Sequence, residues 1–268
     1  MRLCIIAFDG LEYTLVNEWK KSLPYLTQKK YGFFESTEEI ATPFLWASMI
    51  TGHPNPKEAL KEYAWSYPAN RFIRFIWKHF KFLRRKGLGK LLGIKRKLVD
   101  KTWLTKKSIF DEYNSIVVNF PAYKWTLPDL IFEWRVVEIV GDPVKSEFYY
   151  REILKNDYNT LRKSLELLNK DEEWDIFAAW FYFTDMVNHL FGKNRMKVFS
   201  AYLRANRFAK KIIEAIHRDD VITVVISDHG GLEGVHTKKA FISINKEDIE
   251  FPKNITEVYS FFKRILTS

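Results

Sequence analysis

Six side chains suited to divalent metals, and one hydroxyl suited to attack, carry the chemistry legible in this sequence. In chain order they are Asp9, Thr42, Asp185, His189, Asp228, His229 and His236. They are densest in VITVVISDHGGLEGVH, from Val221 to His236. Its apolar, β-branched opening reads as a strand buried on both faces. Within two residues this gives way to Ser227, Asp228, His229 and two glycines; Gly234 and His236 close the stretch. Asp and His together at the end of a buried strand both need partners, and a divalent metal supplies them. The glycines let the backbone turn sharply and approach closely. The plainer alternative is a surface loop that happens to hold Asp and His.

Two other apolar runs end in the same way, IIAF before Asp9 and WFYFT before Asp185. In an open parallel sheet the carboxyl ends of the strands face one crevice. Three carboxylates delivered there repel one another unless cations neutralise them. Asp185 and His189 are four residues apart, so on a helix they share a face. Mixed imidazole and carboxylate ligands suit zinc, with manganese second, better than calcium or magnesium. Six ligands exceed one tetrahedral ion and match two. Two ions roughly 4 Å apart clamp an in-line displacement at phosphorus. Singly, each Asp can be a cap and each His a packed ring; the joint pattern is what argues for metal.

Thr42-Pro43 before the apolar run Phe44 to Ile50 predicts a helix with Thr42 as N-cap, Pro43 at its first position and Gly52 as its stop. A hydroxyl there lies where the helix dipole and free N–H groups favour a phosphoryl anion. Thr42 is therefore a candidate nucleophile, activated by a metal on its oxygen. The competing reading is that it only caps the helix.

The elements that must position these groups alternate. Strands are expected at Arg2–Phe8, Ser115–Phe120, Asp175–Phe183, Val221–Ile226 and Ala240–Ile244, with a short extended piece at Ser36–Ala41. Helices are expected at Val16–Lys29, Glu147–Asn169, Val198–His217 and Thr256–Leu266, with a helix end at Ser108–Tyr113 and loop from Tyr123 to Val144. This predicts an α/β fold, a mostly parallel central sheet with helices on both faces. A single domain spanning 1–268 is expected, interrupted by a helical, basic and aromatic insertion at 57–107 that serves as cap or lid.

The net charge of +10 belongs to that insertion. Between Arg71 and Lys107 there are 14 Lys and Arg against one acid, Asp100, a local +13; the remainder sums to −3. Such a segment suits nucleic acid, an anionic membrane surface or an anionic substrate, and aromatics among the charges can stack on bases. The bland alternative is a solvated lid whose aromatics pack on the domain. No secretory leader and no apolar run long enough to cross a membrane is visible. The single Cys4 lies in the first apolar run and reads as a small buried side chain. These features predict a cytoplasmic protein. One glutamine, with plentiful Lys, Glu and Ile, hints at a thermophile.

The motifs FDGL (8–11), TPFLWASMITG (42–52), NFP (119–121), TDMVNHLFG (184–192) and SDHGGLEGVH (227–236) occur in the order seen in the alkaline phosphatase superfamily. They most resemble its type I phosphodiesterase and nucleotide pyrophosphatase branch. The resemblance implies that Asp185, His189 and His236 hold one metal and that Asp9, Asp228 and His229 hold the other. It makes Thr42 the nucleophile, passing through a covalent phosphorylated intermediate. It implies hydrolysis of phosphodiesters or nucleotide pyrophosphates. The alternatives are a phosphomonoesterase or phosphate-transferring mutase on the same site, and a non-catalytic nucleic-acid or membrane binder. The chain departs from many relatives after Gly52, where HPNPKEAL lacks a Pro-x-x-His-Gly run, and in the insertion. No sulfatase-type Cys/Ser-x-Pro-x-Arg motif is present.

Overall fold

The computed structural model describes residues 1–37, 41–53, 65–66, 95–96, 98, 100–127, 136–170 and 173–268. The reading of 57–107 as a helical insertion lies mostly outside these residues. Within it, β3 (Trp65–Ser66) pairs antiparallel with β4 (Lys95–Arg96).

The core is the six-stranded sheet β2-β10-β7-β1-β6-β5. Its members are β1 (Arg2–Phe8), β2 (Lys30–Glu35), β5 (Ser115–Val118), β6 (Ile176–Phe181), β7 (Val221–Ile226) and β10 (Lys239–Ile244). Strands β7, β1, β6 and β5 are mutually parallel, while β10 runs antiparallel to both β7 and β2. The mostly parallel α/β sheet expected from the sequence is the one observed. Strands β1, β6 and β7 are the most continuous apolar runs, and every residue of β6 and β7 is buried. Along β1 the pleat sends Cys4, Ile6 and Phe8 into one core layer and Leu3, Ile5 and Ala7 into the other. Slipping the register by one residue would exchange the two layers, so packing on both faces fixes it.

Helices α1 (Tyr13–Glu18), α2 (Pro24–Thr27), α6 (Pro143–Leu168), α7 (Phe183–Phe191) and α8 (Arg195–Glu214) contribute to the first layer. Helices α3 (Thr42–Thr51), α4 (Ile109–Glu112) and α9 (Val258–Thr267) contribute to the second. A short helix, α5 (Val136–Ile139), precedes α6.

Several boundaries differ from the sequence reading. The expected helix over 16–29 is three short pieces, because Pro24 has no N–H to continue a helix and instead opens α2. The extended segment expected at 36–41 is displaced to Lys30–Glu35, where β10 supplies its pairing partner. The stretch read as loop over 123–144 contains α5 and the start of α6. Helix α6 begins at Pro143, with the Asp142 carboxylate accepting the N–H groups of Val144 and Lys145 at 3.1 and 3.0 Å.

Candidate active site and metal centre

Three parallel strands deliver carboxylates to one edge of the sheet. Asp9 follows β1 directly, Asp228 lies two residues beyond β7, and Asp185 lies on the first turn of α7, just beyond β6. Since β10 runs the other way, its amino end lies at this same edge. The chain reaches it through a hairpin, β8 (Gly230–Leu232) and β9 (Val235–Thr237). The glycine-rich segment read as loop is thus a two-stranded ribbon, and it carries His236.

All six sequence-chosen ligands come together in two groups. The ligand atoms of Asp185, His189 and His236 all lie within 4.8 Å of one another, as do those of Asp9, Asp228 and His229. His189 Nε2 and His236 Nε2 are 2.8 Å apart, and both approach Asp185 Oδ1, at 3.3 and 3.5 Å. His229 Nε2 is 3.2 Å from Asp9 Oδ1 and 3.7 Å from Asp228 Oδ2. The groups adjoin, with the rings of His229 and His236 4.3 Å apart. Gly10 makes the approach possible. Its φ is +63°, and a Cβ there would stand 2.8 Å from both Cβ and Oδ1 of Asp185.

The charge crowded here is what a bound cation would neutralise. Asp9, Asp228 and His229 are fully buried. Burial first, and the Asp228 charge second, push the Asp9 carboxyl well above the usual range. Burial likewise raises Asp228. For Asp185 burial acts in the same direction, but hydrogen bonds from His189 and His236 outweigh it and hold its carboxyl low. Burial disfavours the His229 imidazolium, yet Asp228 and Asp9 overcome this and raise it well above the ordinary value. Apart from the long imidazole approaches to Asp185 Oδ1, the ligand atoms Asp228 Oδ2, His229 Nε2 and Asp185 Oδ1 are among the buried side-chain atoms left without a hydrogen-bond partner among the described residues. His229 Nδ1 lies 2.9 Å from the Gly230 carbonyl, to which only an N–H can donate. In the neutral ring this leaves the Nε2 lone pair facing Asp9 and Asp228, as a metal ligand requires. An orphaned carboxylate oxygen in each group, and a correctly oriented nitrogen in the Asp9 group, fit divalent metal.

Thr42 stands beside the Asp9 group, its Oγ1 3.2 Å from Asp9 Oδ2. The expectation that it is the N-cap is corrected. Ala41 is the cap, Thr42 is the first helical residue, Pro43 is the second, and no side chain caps the helix. Nor is the helix terminus rich in free donors. The Phe44 and Leu45 N–H groups both bond the Ala41 carbonyl, and Pro43 has none. Gly52 does close the helix, with φ +65°.

Supporting residues escaped the sequence reading. The Glu12 carboxylate is buried and accepts hydrogen bonds from Thr14 and from Thr237, the neighbour of His236. Ser227 accepts the Leu11 N–H at 2.9 Å and donates to the His229 carbonyl. Asn188 Oδ1 accepts the Gly234 N–H at 3.2 Å, tying α7 to the hairpin turn. Asp157, on α6, accepts the N–H groups of Tyr182 and Phe183 at 2.9 and 2.8 Å, and so holds the start of the helix bearing Asp185 and His189. No local motif marks such long-range pairs.

Asp157 is fully buried, and burial pushes its carboxyl up to about 8. Between roughly pH 4, the unfolded value, and pH 8 the folded state therefore holds a proton that the unfolded chain has released. The contribution of Asp157 to stability falls as pH rises through that window and levels off above it. Asp157→Asn keeps an acceptor for both N–H groups and cannot ionise. Denaturant titrations across pH 4–9 should show a shallower decline for the variant; parallel curves would assign the slope to other groups.

The cleft over this edge has a volume of about 950 Å³, and Thr42, Asp185, His189 and His236 all line it.

The sequence matches the model of the type I phosphodiesterase / nucleotide pyrophosphatase family over residues 3–246. A search of curated proteins finds no match. Among solved structures, the fold is similar to the PH0037 protein from Pyrococcus horikoshii (TM-score 0.51, 10% identity, covering 99% of this chain and 96% of that one). It is also similar to murine ectonucleotide pyrophosphatase / phosphodiesterase 5 (TM-score 0.50, 11% identity, covering 86% of this chain and 57% of that one). At these identities the structural likenesses establish the fold alone. The match over nearly the whole chain establishes more: the protein belongs to the type I phosphodiesterase / nucleotide pyrophosphatase family of the alkaline phosphatase superfamily.

Proposed function

We propose that the protein is a metal-dependent hydrolase of phosphodiesters or nucleotide pyrophosphates, with Thr42 as nucleophile. The observation that carries this is the placement of Thr42 Oγ1 3.2 Å from Asp9 while its helix makes no use of it as a cap. Asp185, His189 and His236 would hold one divalent ion, and Asp9, Asp228 and His229 the other. Zinc suits these donors best and manganese second. Bound there, the ions supply Lewis acidity that neutralises charge on the phosphoryl oxygens.

The Thr42 hydroxyl donates toward Asp9, which orients its oxygen and draws on its proton. That oxygen attacks phosphorus, forming a threonyl phosphoester as the P–O bond to the leaving group breaks, and the proton released from threonine passes through solvent to the departing alkoxide. Water then attacks the same phosphorus and returns the threonine hydroxyl. We read the chain as one catalytic domain whose basic segment, 71–107, draws anionic esters to the cleft.

One assay tests both parts. Bis-p-nitrophenyl phosphate should be turned over at least about tenfold faster than the monoester, roughly 1.4 kcal/mol of barrier. Its KM should rise with ionic strength as the basic segment is screened. Preference for the monoester would replace the diesterase reading with a phosphatase, and a salt-independent KM would remove the recruiting role.

A further inference from the structure

The cleft has one polar side and one apolar side. Its catalytic floor is Thr42 with the Asp185 group, and beside it run Val136, Val140, Met186, Leu190 and Phe191. Met186 and Leu190 are buried in the wall, whereas Lys193, Asn194 and Glu233 are exposed at the mouth.

Beyond the polar mouth further apolar side chains are exposed. Among the described residues nine large apolar side chains are exposed; of these Val140 lines the cleft, Leu232 and Val235 adjoin its lining residues Glu233 and Gly234, Met196 lies two residues beyond the lining residue Asn194, and Val144 and Phe148 follow Val140 on α6. The segments bearing them meet. Lys197, next to Met196, bonds Glu147, next to Phe148, at 2.6 Å, and its ammonium lies 3.9 Å from the Phe191 ring. A Cβ on Gly192 would stand 2.4 Å from the Gly234 nitrogen, so the end of α7 lies directly on the hairpin turn between Leu232 and Val235. Scattered exposed apolar residues need no explanation, but a set gathered around one cleft does.

Resting on the hydrolase reading above, we propose that the substrate is an amphiphilic phosphodiester. Its phosphate lies at Thr42 and its alkyl or acyl chain lies along the wall formed by α5 and α7. The occupant follows from continuity, since wall and catalytic floor belong to one cleft. A nucleotide base stacked on Phe191 would set its polar edges against Val136, Val140, Met186 and Leu190, which offer no hydrogen-bond donors or acceptors.

The test is a series of p-nitrophenyl alkyl phosphodiesters with methyl, butyl and octyl groups, kept below aggregation, beside thymidine 5′-p-nitrophenyl phosphate. Burial of successive methylenes should raise kcat/KM by about tenfold or more from butyl to octyl, with the octyl ester ahead of the thymidine ester. Val140→Glu, at an exposed turn position, should flatten the chain-length dependence. Calorimetry with methylphosphonate and octylphosphonate, whose P–C bonds leave no ester to cleave, reads the same preference without turnover. An octyl ester no better than methyl, or a thymidine ester ahead of octyl, would overturn the inference and leave the hydrolase standing. Chain-dependent binding without turnover of any ester would keep the wall and remove the hydrolase reading. Neither turnover nor chain-dependent binding would remove both.

Discussion

Thr42→Ala should lose at least about three orders of magnitude in kcat, roughly 4 kcal/mol of barrier, while Thr42→Ser keeps partial activity. Both half-reactions pass through the threonine oxygen, which serine retains and alanine lacks. The structure sharpens this test, because Thr42 is not the N-cap and contributes no capping bond. A lost cap would cost about 1 kcal/mol; here Thr42→Ala should change unfolding free energy by no more than about 0.5 kcal/mol. Catalytic loss is thereby separated from structural loss within one variant. Two displacements also preserve configuration at phosphorus, which a chiral phosphorothioate diester reports. Inversion, or an alanine variant within about tenfold of the parent, would move the attack from Thr42 to water.

Asp228→Ala should release one of two bound ions and remove most activity, because Thr42 loses the charge stabilisation beside it. The second ion should stay, since Asp185, His189 and His236 do not depend on Asp228 as a ligand. The isosteric Asp228→Asn adds a stability readout. In the metal-free protein Asp9 and Asp228 are carboxyls buried against each other, and the Asp228 charge is the next cause after burial that raises Asp9. Removing that charge should leave metal-free Asp228→Asn at least as stable near neutral pH as the metal-free parent, and the gap should close or reverse when metal is supplied. Metal analysis finding two ions retained in Asp228→Ala would sink the ligand assignment.

The sequence by itself determined the sheet and what stands at its edge. Continuous apolar runs at β1, β6 and β7 can be satisfied only by burial on both faces, and polar residues at their carboxyl ends then share a crevice whatever the loops do. Asp9, Asp185 and Asp228 were legible for that reason, and His189 because four residues make one helical turn. His236 could be named but not placed, since the pairing of β8 with β9 that carries it back over the site depends on Gly230 and Gly231 facing Thr237 and His236.

The tertiary structure alone decided the rest. Thr42 at the head of α3 reads as a cap in any local analysis; only the approach of Asp9, 33 residues away, gives its hydroxyl a different partner. Asp157 and Glu12 sit in ordinary helical and turn contexts, and their roles arise from partners 25 and 225 residues distant. The apolar wall is hidden in the sequence as well, because α5 lies in a stretch with no clear period and the apolar residues of α7 look the same whether they meet core or cleft. Local periodicity reports which side of an element is buried. It does not report which distant backbone groups, carboxylates or clefts that side will meet, and those meetings assemble this site.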